Sequence, residues 1–286
     1  MRVYAPAGGG YVIRGGREGY DRLLLLSRDR WPDTAALFGR AGLRPGMRCI
    51  DLGCGGGEVT LEMAKLVAPD GTVTGVDIDP VKIGLARTAA AERDVHNVEF
   101  LAANVNSWDE PDSCDVVYSR FLLQHLTEPV DLLRRMWAAV RSGGVLIIED
   151  ADFDGWCCHP PNEGFEFFLR TYAEVIRRRG GDHAIGRKLY GYFLDAGIPT
   201  PHVALVQSVS IGGERKGLAW STLNATGEAI VSEGVATSDE LASALTALRQ
   251  FTDDSTTLIG HPRVFQLWSA RRSSRKHLPI GRYACR

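Results

Sequence analysis

The run Cys49-Ile50-Asp51-Leu52-Gly53-Cys54-Gly55-Gly56-Gly57-Glu58 constrains the fold of this chain more than any other. An apolar stretch of strand length meets glycines at alternate positions, and a helical pattern starts at about Glu58. Glycine lets the backbone turn tightly and approach a ligand closely, and the N-terminus of the helix behind it favours a negative group. Strand, tight turn and helix in succession open a βαβ unit, which requires a parallel neighbour. The sequence supplies it: short β-rich runs at 48–52, 72–77, 98–102, 115–119 and 144–149 alternate with longer helical patterns. A doubly wound α/β sheet is expected.

The helices between these runs carry boundary chemistry. Asp79 is placed to cap a helix that begins at Pro80, and Thr127 to cap one with Pro129 in its first turn. In the latter, Leu132, Leu133, Met136, Trp137 and Val140 share a helical face, and Ser142-Gly143-Gly144 ends it. Upstream, 17–38 reads as one or two helices broken near Trp31-Pro32. Downstream, 163–179 is an aromatic-rich helix closed by Gly180-Gly181, 188–195 is a helix closed by Gly197, and 202–211 is a strand. Helical stretches at 214–232 and 238–251 precede a last strand at 263–270, and 271–286 holds six Lys/Arg and no acid, as a flexible tail would.

Composition narrows the function classes. At 286 residues, 44% hydrophobic and 24% charged, the chain suits one large α/β domain with insertions or two modest ones. Its apolar runs are too short for a membrane span, and residues 1–11 lack the apolar core of a secretory signal. The six cysteines contain no C-x-x-C pair, which fits a reduced cytoplasmic setting. Cys157-Cys158-His159 lacks a fourth ligand at useful spacing, so no metal is expected. The net charge of minus two conceals a division: 1–50 carries plus five, 51–155 minus eleven and 156–286 plus four. An acidic centre is a poor setting for polyphosphates or nucleic acid.

The loop separates two ligand classes. Reading Gly53-x-Gly55-x-x as a dinucleotide fingerprint puts Glu58 where a small residue is needed for helix packing, with its charge towards a pyrophosphate. That counts against a nicotinamide cofactor. Asp77, 24 residues after Gly53 at the end of the second strand, can accept hydrogen bonds from both hydroxyls of a ribose, so the ligand reads as a nucleoside.

Taken together, Asp51 to Gly57, Asp77, Asn104 and the block from Asp115 to Leu126 resemble a class I S-adenosylmethionine-dependent methyltransferase, over most of the chain. The resemblance implies a Rossmann-like seven-stranded sheet in the order 3-2-1-4-5-7-6 with only the last strand antiparallel. It divides the chain into an N-terminal helical segment over the cofactor (1–45), the cofactor-binding core (46–155), helical cap insertions (156–185 and 212–262), the completion of the sheet (186–211 and 263–270) and the basic tail. Carried over residue by residue, it implies that Asp51, Gly53 and Gly55 shape the methionine end, that Cys54 between them is a cofactor-binding residue and that Asp77 holds the ribose. Ile78 would pack on adenine, Asn104 and Val105 would reach its edge, Ser119 and Arg120 would line the sulfonium region, and Tyr11 to Arg14 with Tyr20 would close over the cofactor. Many relatives have Asp where Asn104 stands; an amide oxygen still accepts, without charge.

Methyl transfer from a sulfonium is an in-line displacement with an activated donor, so a protein chiefly orients the nucleophile and excludes water. Where a base assists, it should come from the C-terminal edge of the sheet. The candidates are His125, Glu149, Asp150, Asp152, Asp154 and His159, set against ordinary roles as buried hydrogen-bonded histidine or helix cap. Trp156, Pro160 and Pro161 read as lid residues, and Phe165, Phe167, Phe168 and Tyr172 as packing or lid. The expectation is a small-molecule methyltransferase producing S-adenosylhomocysteine, acting on an apolar or aromatic metabolite at carbon, nitrogen or oxygen, as in quinone-type and natural-product biosynthesis. The N-terminal helices leave room for a homodimer. A cyclase-like or binding protein that keeps the pocket without transferring a methyl group stands as the alternative, and a nicotinamide-dependent dehydrogenase as a remote one.

Overall fold

The computed structural model describes residues 16–272. In chain order the elements are α1 (Gly16–Ala41), β1 (Arg48–Leu52), α2 (Glu58–Val67), β2 (Thr72–Asp77), α3 (Pro80–Glu92), β3 (Val98–Ala102), β4 (Cys114–Arg120), α4 (Pro129–Ala139) and β5 (Val140–Asp152). There follow β6 (Cys157–His159), α5 (Glu163–Arg178), α6 (Leu189–Asp195), β7 (His202–Val206), β8 (Val209–Ser210), α7 (Gly213–Lys216), α8 (Leu218–Ser232), α9 (Ser238–Asp253), β9 (Leu258–Gly260) and β10 (Arg263–Ala270).

Seven strands form one sheet in the order β3-β2-β1-β4-β5-β10-β7. Only β10 runs antiparallel to its neighbours, the topology expected from the sequence. Both faces are covered. On one, Ile50, Leu52, Val117, Leu146 and Ile148 pack against Leu132, Leu133 and Met136 of α4 and Phe193 of α6. On the other, Cys49, Val116, Tyr118 and Ile147 meet Leu37 and Phe38 of α1 and Val59, Met63 and Val67 of α2. Burial on both faces is why these strands read as continuous apolar runs rather than alternating ones.

A second core lies outside the sheet. Phe165, Phe168, Tyr172, Val175 and Ile176 of α5 recur at helical spacing and pack on Leu218, Leu223 and Ile230 of α8 and Leu248 and Phe251 of α9. A three-stranded sheet, β6-β9-β8, lies alongside it. The half-buried Leu25 and Leu26 of α1 pack on the same cluster, so one helix serves both cores.

Several elements differ from expectation. Helix α1 does not break at Pro32; the ring removes one helical hydrogen bond, but packing on both sides of it, by Leu25 and Leu26 and by Leu37 and Phe38, keeps the helix continuous. Helix α4 is bounded by Glu128 rather than capped by Thr127, because Pro129 at its first position forces the preceding residue out of the helical region. Strand β5 runs through Ser142-Gly143-Gly144 and on to Asp152, held by β4 on one side and by β10 on the other. The run 202–211 splits into β7 and β8 at Gln207, whose Nε2 donates to the carbonyls of Gly155 and His261. The run 214–232 breaks at Gly217 into α7 and α8.

Candidate functional site

The C-terminal ends of the parallel strands and the second core enclose a cavity of about 400 Å³. In open α/β sheets this is the edge where ligands bind. Asp51 lies near the end of β1, where Thr60 Oγ1 donates to its Oδ2 at 2.7 Å and burial pushes its carboxyl up to about 6. The backbone N–H groups of Gly53 and Cys54 donate to the Val76 carbonyl at 2.8 and 3.0 Å, folding the glycine loop against β2. Gly57, at φ 80°, caps α2 in the left-handed region, and a Cβ there would stand 2.7 Å from the Phe100 ring. The Cys54 thiol is raised well above its ordinary value by burial, so it is no nucleophile at neutral pH.

Asp77 closes the loop from the other side. Its Oδ2 accepts from Gly55 N–H at 2.9 Å and its Oδ1 from Asp79 N–H at 3.0 Å. A carboxylate offers about four acceptor sites, so capacity remains for two hydroxyls. Ile78, 47% exposed, stands at the mouth. Asn104 Oδ1 accepts from Asn106 N–H at 2.9 Å, and Val105 is buried beside it. Arg120 at the end of β4 donates to Ser27 Oγ at 2.8 Å and Thr34 Oγ1 at 3.3 Å, and its guanidinium lies over the Phe121 ring.

The structure thus brings Asp51, Gly53, Cys54, Gly55, Asp77, Ile78, Asn104, Val105, Arg120 and His125 to one cavity. It does not bring Ser119 there: side chains alternate along β4, and Tyr118 and Arg120 take the cavity face. Asp152 is a correction too, since it is buried away from the cavity and ion-paired with Arg187 and Arg263. His159 is exposed on β6, opposite Leu258. Asp154 pairs with His183 and Arg187. Tyr11 lies outside the described residues.

His125, in a short turn after β4, is half-buried at the cavity wall. Burial, reinforced by the charges of Arg22, Lys82 and Arg179, pushes its imidazole down to about 3. It is neutral at physiological pH and therefore a weak base, better suited to orienting a ligand than to taking its proton. Asp150 lies behind the wall, accepting from Ala151 N–H at 2.9 Å and Gln124 N–H at 3.3 Å, and burial lifts its carboxyl to about 7. The folded pKa exceeds the unfolded one, so Asp150 favours folding below about pH 4, and that contribution is lost as pH rises to about 7. Asp150→Asn is expected to remove this slope: urea midpoints at pH 5 and pH 8 should differ less in the variant than in the parent.

The far wall holds Phe153, Trp156, Tyr172 and His261, with Arg22 and Arg30 from α1. The Phe153 and Tyr172 rings stack at 4.2 Å, and those of Trp156 and His261 are 5.1 Å apart. His261 and Arg30 escaped the sequence reading. His261 sits in the turn between β9 and β10 with no spacing to mark it. Arg30 carried a signal: Leu23, Ser27, Arg30 and Thr34 recur at helical spacing, a partly polar stripe on the inner face of α1.

Doubly wound topology with a glycine loop and a strand-end acid is an architecture in which nucleotide ligands bind at the carboxyl edge of the sheet. Residues 43–176 match a family model described as a methyltransferase domain. A protein of Streptomyces fradiae, uncharacterised and carried in a transposon, is 32% identical over 168 residues, 58% of this chain and 47% of the relative. An uncharacterised methyltransferase of Schizosaccharomyces pombe is 27% identical over 58% of this chain and 62% of its own. A demethylmenaquinone methyltransferase of Listeria monocytogenes is 30% identical over 40% and 50%. The chain spans about half the length of the curated relatives it matches.

Among solved structures, a candidate methyltransferase of Bacillus halodurans aligns over 85% of this chain and all of its own, with TM-score 0.59 and 16% identity. A phosphoethanolamine N-methyltransferase of Haemonchus contortus holding S-adenosylhomocysteine aligns over 85% of this chain and 53% of its own, at 0.52 and 17%. The cyclase SpnF aligns over 84% and 80%, at 0.50 and 17%. At these identities the likeness is one of fold. The chain thus resembles methyltransferases in the family model matched by residues 43–176 and in its fold.

Proposed function

We propose that this protein transfers the methyl group of S-adenosylmethionine to a small molecule held beneath α5, α8 and α9. The observation that carries the reading is the continuity of one cavity, from the glycine loop and Asp77 at one end to Phe153, Trp156 and Tyr172 at the other. A donor site and an acceptor site must share such a space for in-line displacement.

The residues at the first end fit the donor. Gly53 turns at φ 76° with the Leu122 side chain packed 3.0 to 3.2 Å from where a Cβ would stand, so only glycine keeps this loop in place at the cavity. Asp77 has acceptor capacity for a ribose, and Asp51 and Asp77 set negative charge near a sulfonium. When bound, the donor supplies an activated methyl group, and the chain's part is to hold it in line with the acceptor and exclude water. Segments 156–185 and 212–262 act as the cap, and α1 closes the side. Glu58 lines the cavity and pairs with Arg93, leaving a carboxylate where a dinucleotide would place its pyrophosphate. That disfavours the dehydrogenase reading. The enclosed volume favours a small acceptor over nucleic acid.

Methyl-labelled S-adenosylmethionine, incubated with the protein and fractionated metabolite extract, should yield label in an organic-extractable product. Boiled protein should yield none. Label in no fraction, from protein that binds S-adenosylhomocysteine, would favour the non-methylating reading instead.

A further inference from the structure

Three residues on the far wall carry buried polar atoms without a hydrogen-bond partner among the described residues: Nε1 of Trp156, Nη1 of Arg30 and Nδ1 of His261. Such atoms are rare in folded proteins, because an unmade hydrogen bond in a dry setting is costly. Others lie elsewhere in the described residues, but these three line one cavity. Trp156 is 8% exposed, Arg30 4% and His261 0%, and all three line the cavity. The rings of Trp156 and His261 are 5.1 Å apart, and the charge of Arg30 is felt at the imidazole.

The chemistry of the missing partner follows from what these atoms are. Indole and guanidinium N–H groups only donate, so the partner must accept. The imidazole adapts: its Nε2 shares a hydrogen with Ser210 Oγ at 2.8 Å, a hydroxyl able to donate or accept, which leaves Nδ1 free to take either role. Charge points the same way. The carboxylate nearest Arg30 is Asp29, 3.4 Å from its Nε, and Asp29 is also ion-paired with Arg215. Two guanidiniums share one close carboxylate, with Asp33 acting on Arg30 only through space. The position therefore has positive charge to spare. Trp156 and the stacked Phe153 and Tyr172 add flat apolar walls beside it.

Resting on the methyltransferase reading, we propose that the acceptor is an aromatic acid whose carboxylate is received by Trp156, His261 and Arg30, its ring lying against Phe153 and Tyr172. An amine or a neutral amide lacks the charge this wall complements. The methionine carboxylate of the donor shares the chemistry but belongs at the glycine-loop end, whereas Trp156 and His261 come from the segments after β5 and β9.

The test uses three molecules with one ring and different heads: 4-hydroxybenzoate, 4-hydroxybenzamide and 4-hydroxybenzylamine. Each is titrated calorimetrically into protein saturated with S-adenosylhomocysteine. The benzoate should bind at least about tenfold more tightly than the amide, and the amine not at all. Trp156→Phe, which keeps the ring surface, and Arg30→Gln should each weaken the benzoate about tenfold, with S-adenosylhomocysteine affinity held within about twofold as evidence of folding. Arg30→Lys should recover part of the loss and serves if the Gln variant does not fold. The proposal is overturned if the amide or amine binds as well as the benzoate, if none binds, or if the variants titrate as the parent. It is also overturned if Arg30→Gln weakens S-adenosylhomocysteine instead. Failure of the parent protein to bind S-adenosylhomocysteine would strike the methyltransferase reading alone, since head-group selectivity is then read on the protein without it.

Discussion

Asp77→Ala is expected to weaken S-adenosylhomocysteine binding about a hundredfold, equivalent to about 2.7 kcal/mol. The size follows from what the carboxylate does on both sides. Towards the protein it receives the N–H groups of Gly55 and Asp79, at 2.9 and 3.0 Å, and so fixes the loop over which the proposed donor would lie. Towards the ligand it offers the acceptors that a ribose diol requires. A hydrogen bond to a charged group contributes about 1.5–3 kcal/mol, and the substitution removes those to the ligand while loosening the loop. Asp77→Asn keeps one acceptor oxygen and should fall between, near a tenfold loss. Calorimetric titration of the three proteins measures the series; equal affinities would remove Asp77 from the ribose.

The second large effect is on stability. Glu149, read from the sequence as a candidate active-site acid, is instead a buried junction. Its Oε1 accepts from Thr34 Oγ1 at 2.8 Å and Tyr118 OH at 2.7 Å, and its Oε2 from Gln266 Nε2 at 2.7 Å. One carboxylate thus ties α1, β4 and β10 to β5. Glu149→Ala strands three buried donors and opens a void, and is expected to cost about 3–5 kcal/mol in urea unfolding. Glu149→Gln keeps an oxygen but turns an amide N–H group towards donors, so it should recover only part. Because α1 supplies Leu23 to the cavity wall and Ser27 to hold Arg120, the Ala variant should also bind S-adenosylhomocysteine more weakly. A loss below about 1 kcal/mol would mean that the three donors find water, and the junction would lose its structural role.

What the sequence disclosed and what it hid divide along physical lines. Strands β1, β2, β3 and β10 were legible to the residue, because apolar runs between turn signals leave little choice of register. The Asp79 cap was legible because cap, Pro80 and helix are adjacent; its side chain accepts from Val81 and Lys82 N–H. Asp51, the glycines and Asp77 converge because a doubly wound sheet carries consecutive strand ends to one edge. The sheet of β6, β8 and β9 was not legible, since strands of two or three residues have no period to detect. Ser119 was misplaced by one step of strand alternation, and Asp152 because its two arginines lie 35 and 111 residues further on. His261 reaches the site only through tertiary packing of the turn before β10.

The most direct measurement is a pair of calorimetric titrations of the same protein, one with S-adenosylhomocysteine and one with NAD. If the cavity holds the donor as proposed, the protein binds one equivalent of S-adenosylhomocysteine and gives no heat with NAD. Absence of S-adenosylhomocysteine binding, or tighter binding of NAD, would contradict the assignment of this cavity.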